Sequence, residues 1–330
     1  MNFTDFKEKY QKTPVEEYPN NASHQPLVSV CVQTYQHANY IRECLDGILM
    51  QKTDFPFEIL LGEDSSTDGT REICIEYAEK YPDKIRLFLH HRENNINING
   101  NPTGRFNLLY NLFNARGEYV ALCEGDDYWI DSWKLQKQVD FLENNEEYTI
   151  HCTNAKISKN DKFTTKAMED KTFIALDIFK QNFTYTGTLC FHKDSITIPN
   201  FIYNSPAADW LLILYALKHN KGYFSKDISA VYRIHSQGIW SQVESNDREM
   251  IKRRFENLVG NIYTYKQIFK DEELPIEVRN YAPQKMESYS YQAKRMMLIH
   301  PFLKVSREDF DIKRSGNRIK LLLVRLKLLS

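Results

Sequence analysis

The chain has 330 residues, 42% hydrophobic and 13% aromatic, enough to bury one large core or a main domain with a smaller appendage. Its 43 lysines and arginines against 44 acids leave a formal charge of −1, which gives no electrostatic reason to expect a nucleic-acid partner, so any charged function must be local. Six cysteines with no CxxC pair and no clustered histidines argue against a zinc site or disulfide framework and for reduced, buried thiols. Met1 to Asn20 is polar where a secretion signal needs an apolar core, and no window reaches the ~18 apolar residues of a spanning helix. A cytoplasmic protein is expected.

Residues 1–25 read as an N-terminal extension. From Val28, β-rich runs alternate with helical patterns: strand 28–33, helix 39–50, strand 58–61, then a helix opened by Asp68, Gly69 and Thr70 that ends near Tyr81. Strand 85–90, helix 105–115 and strand 118–123 follow. Strands separated by such helices predict a parallel sheet of βαβ units, with ligands beyond the strands' carboxyl ends. Three strands end in polar or acidic clusters, Thr34-Tyr35, Glu63-Asp64-Ser65-Ser66 and Glu124-Gly125-Asp126-Asp127, which this topology would gather on one rim.

Beyond Asp131 the pattern gives helix 133–144, strand 149–157, a lysine-rich loop over 158–171, strand 188–192, helix 208–219 and strand 228–233. This second half would complete the sheet and supply an acceptor side. Residues 247–294 read as mainly helical, and neither an internal repeat nor a low-complexity tract is present.

Asp126 and Asp127 admit two readings: a solvated acidic turn, since Gly-Asp-Asp is a common loop composition, or a site for Mn²⁺ or Mg²⁺, which bind carboxylate oxygen and reach substrate phosphates. Placement at the rim favours the cation. There is no GxxxxGK[ST] loop and no GxGxxG fingerprint, so the ion itself would hold a diphosphate. Asp64 could accept a base N–H, and Thr34 and Tyr35 could line a base or ribose. Asp68 reads as a helix N-cap. Asp209, the one acid opening an apolar helix, is either an N-cap or a general base that takes a proton from an acceptor hydroxyl. His235, following a strand, could complete a metal shell and tilt preference toward Mn²⁺; Arg233 and Lys226 read as generic basic residues.

These residues resemble the inverting glycosyltransferases of family 2, from about Pro26 to Ser241. Val28 to Tyr35 is similar to that family's opening strand and nucleotide-contacting turn, Glu63 to Thr70 to its acidic base-recognition motif, and Gly117 to Val120 leading into Asp126-Asp127 to its metal-binding motif. The resemblance implies an α/β fold of the GT-A type, a Rossmann-like nucleotide-binding mixed sheet flanked by helices, at 26–243, with a mainly helical C-terminal extension at 244–330. It implies nucleotide contacts by Thr34, Tyr35, Glu63, Asp64 and Asp126, metal ligation by Asp127, Asp126 and His235, and Asp209 as catalytic base. Gln33 stands where many members have proline or a small residue, and Ala-Asp-Trp stands where polymerising members show Glu-Asp; transfer of one sugar, or few, is expected rather than processive synthesis.

The implied partners are a nucleotide-sugar donor, with a UDP-sugar the leading candidate, and a glycan or lipid-linked acceptor in surface polysaccharide or lipid-linked glycan assembly. The tail mixes Lys313, Arg314, Arg318, Lys320, Arg325 and Lys327 with leucines, with no acid after Asp311. It reads either as a helix that packs on the protein or mediates a homo-oligomer, or as a basic amphipathic helix on the inner face of the cell membrane. Two other functions share the motifs. A sugar-nucleotide pyrophosphorylase expects a Gly-rich phosphate turn, absent near Val28 to Tyr40; a non-catalytic nucleotide-sugar-binding module has no need of Asp126, Asp127 and Asp209 together.

Overall fold

A computed structural model of the chain describes residues 2–98, 100–160, 162–235 and 247–303. Two compact units emerge: Met1–Tyr203 with Ala207–His235, and Asn204–Pro206 with Ser236–Ser330.

The first unit is built on a mixed sheet, eleven-stranded among the described residues. Its parallel half runs Ile85–Leu89, Phe57–Glu63, Val28–Thr34, Tyr119–Glu124 in spatial order. Val28–Thr34 and Phe57–Glu63 are near-continuously buried, as expected of parallel strands covered on both faces. Val30, Val32, Ile59 and Leu61 pack with Ile41, Leu45 and Ile48 of the helix Ile41–Leu49 in one apolar cluster. At the strands' starts, Ser29 Oγ donates to Glu58 at 2.6 Å and Arg86 Nη1 reaches Glu58 at 3.3 Å, so this buried acid is paired.

The sheet continues through Leu189–His192, antiparallel to both neighbours, then Tyr148–Lys159 and Lys221–Ile234, which are parallel to each other. One expectation is corrected. The lysine-rich segment is not a plain loop: Lys162–Thr165 folds back antiparallel on Tyr148–Lys159, and Lys171–Phe173 pairs with Lys221–Ile234. All four residues of Lys162–Thr165 are exposed, so the strand carries no apolar alternation to reveal it. The N-terminal extension is also structured, with a helix Phe3–Tyr10 and a strand Glu16–Glu17 paired antiparallel to the edge strand Ile85–Leu89.

In the second unit the helices Arg248–Lys270 and Ile276–Ile299 are in contact, with Tyr265 and Tyr289 rings 5.2 Å apart. Ile251, Phe255, Ala293 and Leu303 form its core cluster. No described helix is long and apolar enough to cross a membrane. The basic tail lies outside the described residues.

Candidate active site

Register places the ends of three parallel strands side by side: Thr34 pairs with Glu63, and Gln33 with Glu124. The loops that follow are zipped together. Asp64 N donates to Thr34 O at 3.1 Å, Gln36 N to Ser66 Oγ at 2.9 Å, and His37 N to Thr70 Oγ1 at 2.8 Å. Gln36 and Ser65 both sit at positive φ, 56° and 59°, a strained conformation concentrated at functional loops. Asp68 accepts from Ala38 N at 3.0 Å and from Thr70 N at 3.1 Å. It holds the helix start as a cap does, although Gly69, at φ 101°, occupies the cap position itself.

Two acids at the second strand end have different surroundings. Glu63 is fully buried, accepting from Ser65 N, Ser66 N and Arg71 Nε at 3.2, 2.7 and 2.5 Å, so its carboxylate shapes the loop from within. Asp64 is held by Arg92 Nη1 at 2.5 Å and Asn95 Nδ2 at 3.0 Å, and Arg92 also lies 3.8 Å over the centre of the half-exposed Tyr35 ring. Burial raises the Asp64 carboxyl above its usual range, against the pull of Arg92 and Asn95. Thr34 is buried nearby, and a Cβ on Gly125 would fall 2.7 Å from its hydroxyl, which explains the glycine.

The third strand end carries the acid cluster. Glu124, Asp126 and Asp127 each offer an oxygen within 4.8 Å of the others. Asp127 is 2% exposed; its Oδ1 accepts from Arg233 N at 2.8 Å, while Oδ2 accepts no hydrogen bond. Asp126 Oδ2 lies 3.0 Å from His235 Nε2, which donates to it, and 3.8 Å from His37 Nε2. Burial and the charges of Asp126 and Glu124 push Asp127 well up; burial with Asp126 and Asp209 pushes Glu124 up to about 8. Asp126 moves the other way: burial opposes its charge, but the His235 hydrogen bond and the His37 imidazole hold it low. A buried carboxylate oxygen with no donor is costly, and three converging carboxylates suit a hard divalent cation, whose charge compensates all of them. The residues present fit such an ion.

Asp209 joins the same electrostatic neighbourhood from the helix Ala208–Leu217. Its position is the first turn rather than the N-cap, which Ala207 occupies without a side-chain bond. Thr186 Oγ1 donates to Asp209 Oδ2 at 3.4 Å, and the adjacent Gly187 faces Asp127, whose Oδ2 would be 4.0 Å from a Cβ there. The Tyr232 hydroxyl is pushed up by burial and then by Asp127, Glu124, Asp126 and Asp209 together. Four carboxylates thus act on one phenol.

Sequence reasoning placed Glu124 in the rim cluster without giving it a role, and missed His37, the Thr186-Gly187 turn and the Arg92/Asn95 bracket. It also misjudged Arg233, which is no generic base: its amide holds Asp127 and its guanidinium donates to the Asp126 carbonyl at 2.7 Å while pairing with Glu43. Lys226 pairs with exposed Glu169 at 3.5 Å. The missed residues sit in turns and on non-neighbouring strands, where periodicity carries no signal; Glu124 alone was visible, as the last residue of an apolar strand.

Comparison with known proteins gives a consistent result. The chain matches the sequence model of glycosyl transferase family 2 over residues 29–204. Uncharacterized protein Rv1520 of Mycobacterium tuberculosis is 31% identical over 239 residues, covering 71% of this chain and 66% of Rv1520; the match therefore spans just under two thirds of that relative. TuaG of Bacillus subtilis, named as a teichuronic acid biosynthesis glycosyltransferase, is 32% identical over 117 residues, 36% of this chain and 42% of TuaG. Among solved structures, S. aureus TarS 1-349 in complex with UDP superposes with a TM-score of 0.54 at 20% identity, over 86% of this chain and 76% of that one. The mannosyltransferase PcManGT from Pyrobaculum calidifontis, in complex with GDP-Man and Mn²⁺, gives 0.52 at 16% identity over 97% and 88%. At such identities these structures establish the GT-A fold.

Proposed function

The chain belongs to glycosyl transferase family 2, and from that premise we propose that it is a metal-dependent, inverting transferase. It moves a sugar from a nucleotide-diphosphate donor, with UDP-sugars first, to a hydroxyl of a glycan or lipid-linked acceptor in surface polysaccharide assembly. The observation that carries this reading is the bare, buried Oδ2 of Asp127 beside Glu124 and Asp126, in the same neighbourhood as Asp209.

Asp127 and Asp126, with Glu124 beside them, would hold Mn²⁺ or Mg²⁺; His235 orients Asp126 and is the candidate further ligand. When bound, the ion neutralises the diphosphate and the charge that builds on it as the glycosidic bond breaks. Asp64, steadied by Arg92 and Asn95, accepts from the base, while Thr34 and Tyr35 line the pocket. Glu63 supports that loop from below. Asp209 takes the acceptor proton as the hydroxyl oxygen attacks the anomeric carbon opposite the leaving nucleotide, which inverts configuration. The ligands of TarS and PcManGT, UDP and GDP-Man with Mn²⁺, support a nucleotide-sugar donor, and the name of TuaG supports a polysaccharide product. The proposed location is cytoplasmic, with the basic tail at the inner membrane face where a lipid-linked acceptor would lie.

The test is a panel of UDP-, GDP- and dTDP-sugars assayed for free nucleotide release with Mn²⁺, with Mg²⁺ or with EDTA. Metal-dependent release from one nucleotide class supports the reading. Absence of both release and binding across the whole panel would sink it.

A further inference from the structure

We propose that the N-terminal arm, which lies before the family-matched segment, is a working part of the donor site, and that Asn94 is the positioning residue that couples the two. The inference rests on the base-binding reading of Asp64.

The arm is anchored along its length. Phe6 of the helix Phe3–Tyr10 is buried, with its ring 5.1 Å from Phe106 and 5.2 Å from Phe113. Glu16–Glu17 closes the sheet edge, and Tyr18 N donates to Leu87 O at 2.8 Å. Between these anchors the chain crosses the short turn Arg92–Asn94, and Asn94, 2% exposed, clasps it. Asn94 Oδ1 accepts from Lys12 N at 2.8 Å and Thr13 N at 2.9 Å, and its Nδ2 donates to Thr13 O at 2.8 Å. Thr13 Oγ1 also donates to Glu93 at 2.9 Å.

The two residues that grip Asp64 lie in the same turn as Asn94, Arg92 two positions before it and Asn95 directly after it. Arg92 donates to it at 2.5 Å, and Asn95 donates to both of its oxygens, at 3.2 and 3.0 Å. The turn has two backbone hydrogen bonds of its own, Asn94 N to His91 O at 2.9 Å and Asn95 N to Arg92 O at 3.2 Å; what ties that turn to the arm is the Asn94 side chain, by its three hydrogen bonds. Without them, two arm amides and a carbonyl lose their buried partner, and Arg92 and Asn95 lose the frame that presents them to Asp64. Preorganisation of this kind is expressed as ligand affinity. Asn94 therefore acts on the base pocket through Asp64, and leaves the metal cluster alone.

The experiment is a double-mutant cycle on nucleotide affinity in the full chain. UDP and GDP are titrated calorimetrically with Mn²⁺ into wild type, Asn94→Ala, Asp64→Ala and the double variant, with Mn²⁺ affinity measured separately by spin resonance. Expected are a loss of about tenfold in nucleotide affinity for Asn94→Ala, unchanged Mn²⁺ affinity, and no further loss when Asn94→Ala is added to Asp64→Ala. Additive losses, or unchanged nucleotide affinity in Asn94→Ala, would overturn the inference. Unchanged affinity in Asp64→Ala, or a wild type that binds neither nucleotide, would instead overturn the base-binding reading. Should Asn94→Ala not fold, Phe6→Ala undocks the arm from its far end: a weaker loss in the same direction is expected, and wild-type affinity would count against the coupling.

Discussion

Arg233 and Asp127 are joined through the backbone: the Arg233 amide donates to Asp127 Oδ1 at 2.8 Å, while the Arg233 guanidinium reaches the neighbouring Asp126 carbonyl at 2.7 Å. The strand Lys221–Ile234 thereby aims both aspartates. Arg233→Met keeps the amide and loses the guanidinium, so Mn²⁺ affinity should fall about 10- to 100-fold, the usual effect of removing a support for metal ligands. Titration followed by spin resonance reads this directly, and wild-type affinity in the variant would show that the guanidinium has no part in the site.

Asp209→Asn removes the proposed base and keeps the shape. Transfer to acceptor should drop by about 10²- to 10⁴-fold in kcat, with nucleotide and Mn²⁺ affinities unchanged. Loss of nucleotide affinity instead would mean that Asp209 belongs to the donor pocket.

Proton competition gives the metal site a pH signature. Glu124 is raised from its ordinary 4.5 to about 8, so the folded, metal-free protein holds a proton that the unfolded chain releases. That contribution to metal-free stability is present at low pH and lost as pH rises through about 8. A cation must displace the proton, so the rise in Tm caused by Mn²⁺ should be larger at pH 8.5 than at pH 6. A pH-independent rise would contradict the account of Glu124.

Two buried histidines act in the opposite sense. Burial pushes His90 and His151 down to about 3, with smaller contributions from Arg71 and Lys134 respectively. The unfolded chain takes up protons below about 6.5 that the folded chain refuses, so this stability is full above 6.5 and is lost as pH falls toward 3. Each contributes a slope of up to about 1.4 kcal/mol per pH unit. His90 packs edge-on against Phe106 and Tyr110, so His90→Phe should flatten the acid limb of a denaturation series; an unchanged slope would show that its ring is protonated in the fold.

At the far end of the sheet, Arg86→Met leaves the fully buried Glu58 without its cation, and should cost about 3–5 kcal/mol of stability. Arg86 also pairs with Glu17 of the N-terminal arm at 2.9 Å, so part of this loss is the arm's tie to the sheet edge. Denaturant melts read the loss, and wild-type stability in Arg86→Met would show that Glu58 does not depend on the pairing.

The parallel half of the sheet was legible because buried strands such as Val28–Thr34 are continuous apolar runs between helices, and strand ends mark a rim. The antiparallel half was less so: Lys162–Thr165 is a strand with no buried residue, and its pairing comes from its neighbour. At the site, Asp64, Asp126 and Asp127 stood out as acids at strand ends. Arg92, Asn95, His37 and Thr186 did not, because hydrogen bonds such as Arg92 to Asp64 join loops that no local pattern connects.

The central claim is that the acid cluster holds a cation and the cation holds the donor. UDP titrated into wild type and Asp127→Asn, each with Mn²⁺ and with EDTA, tests it most directly. The account predicts strong binding only for wild type with Mn²⁺, and little response to the ion in Asp127→Asn. Equal UDP affinity with Mn²⁺ and with EDTA in the wild type would contradict it.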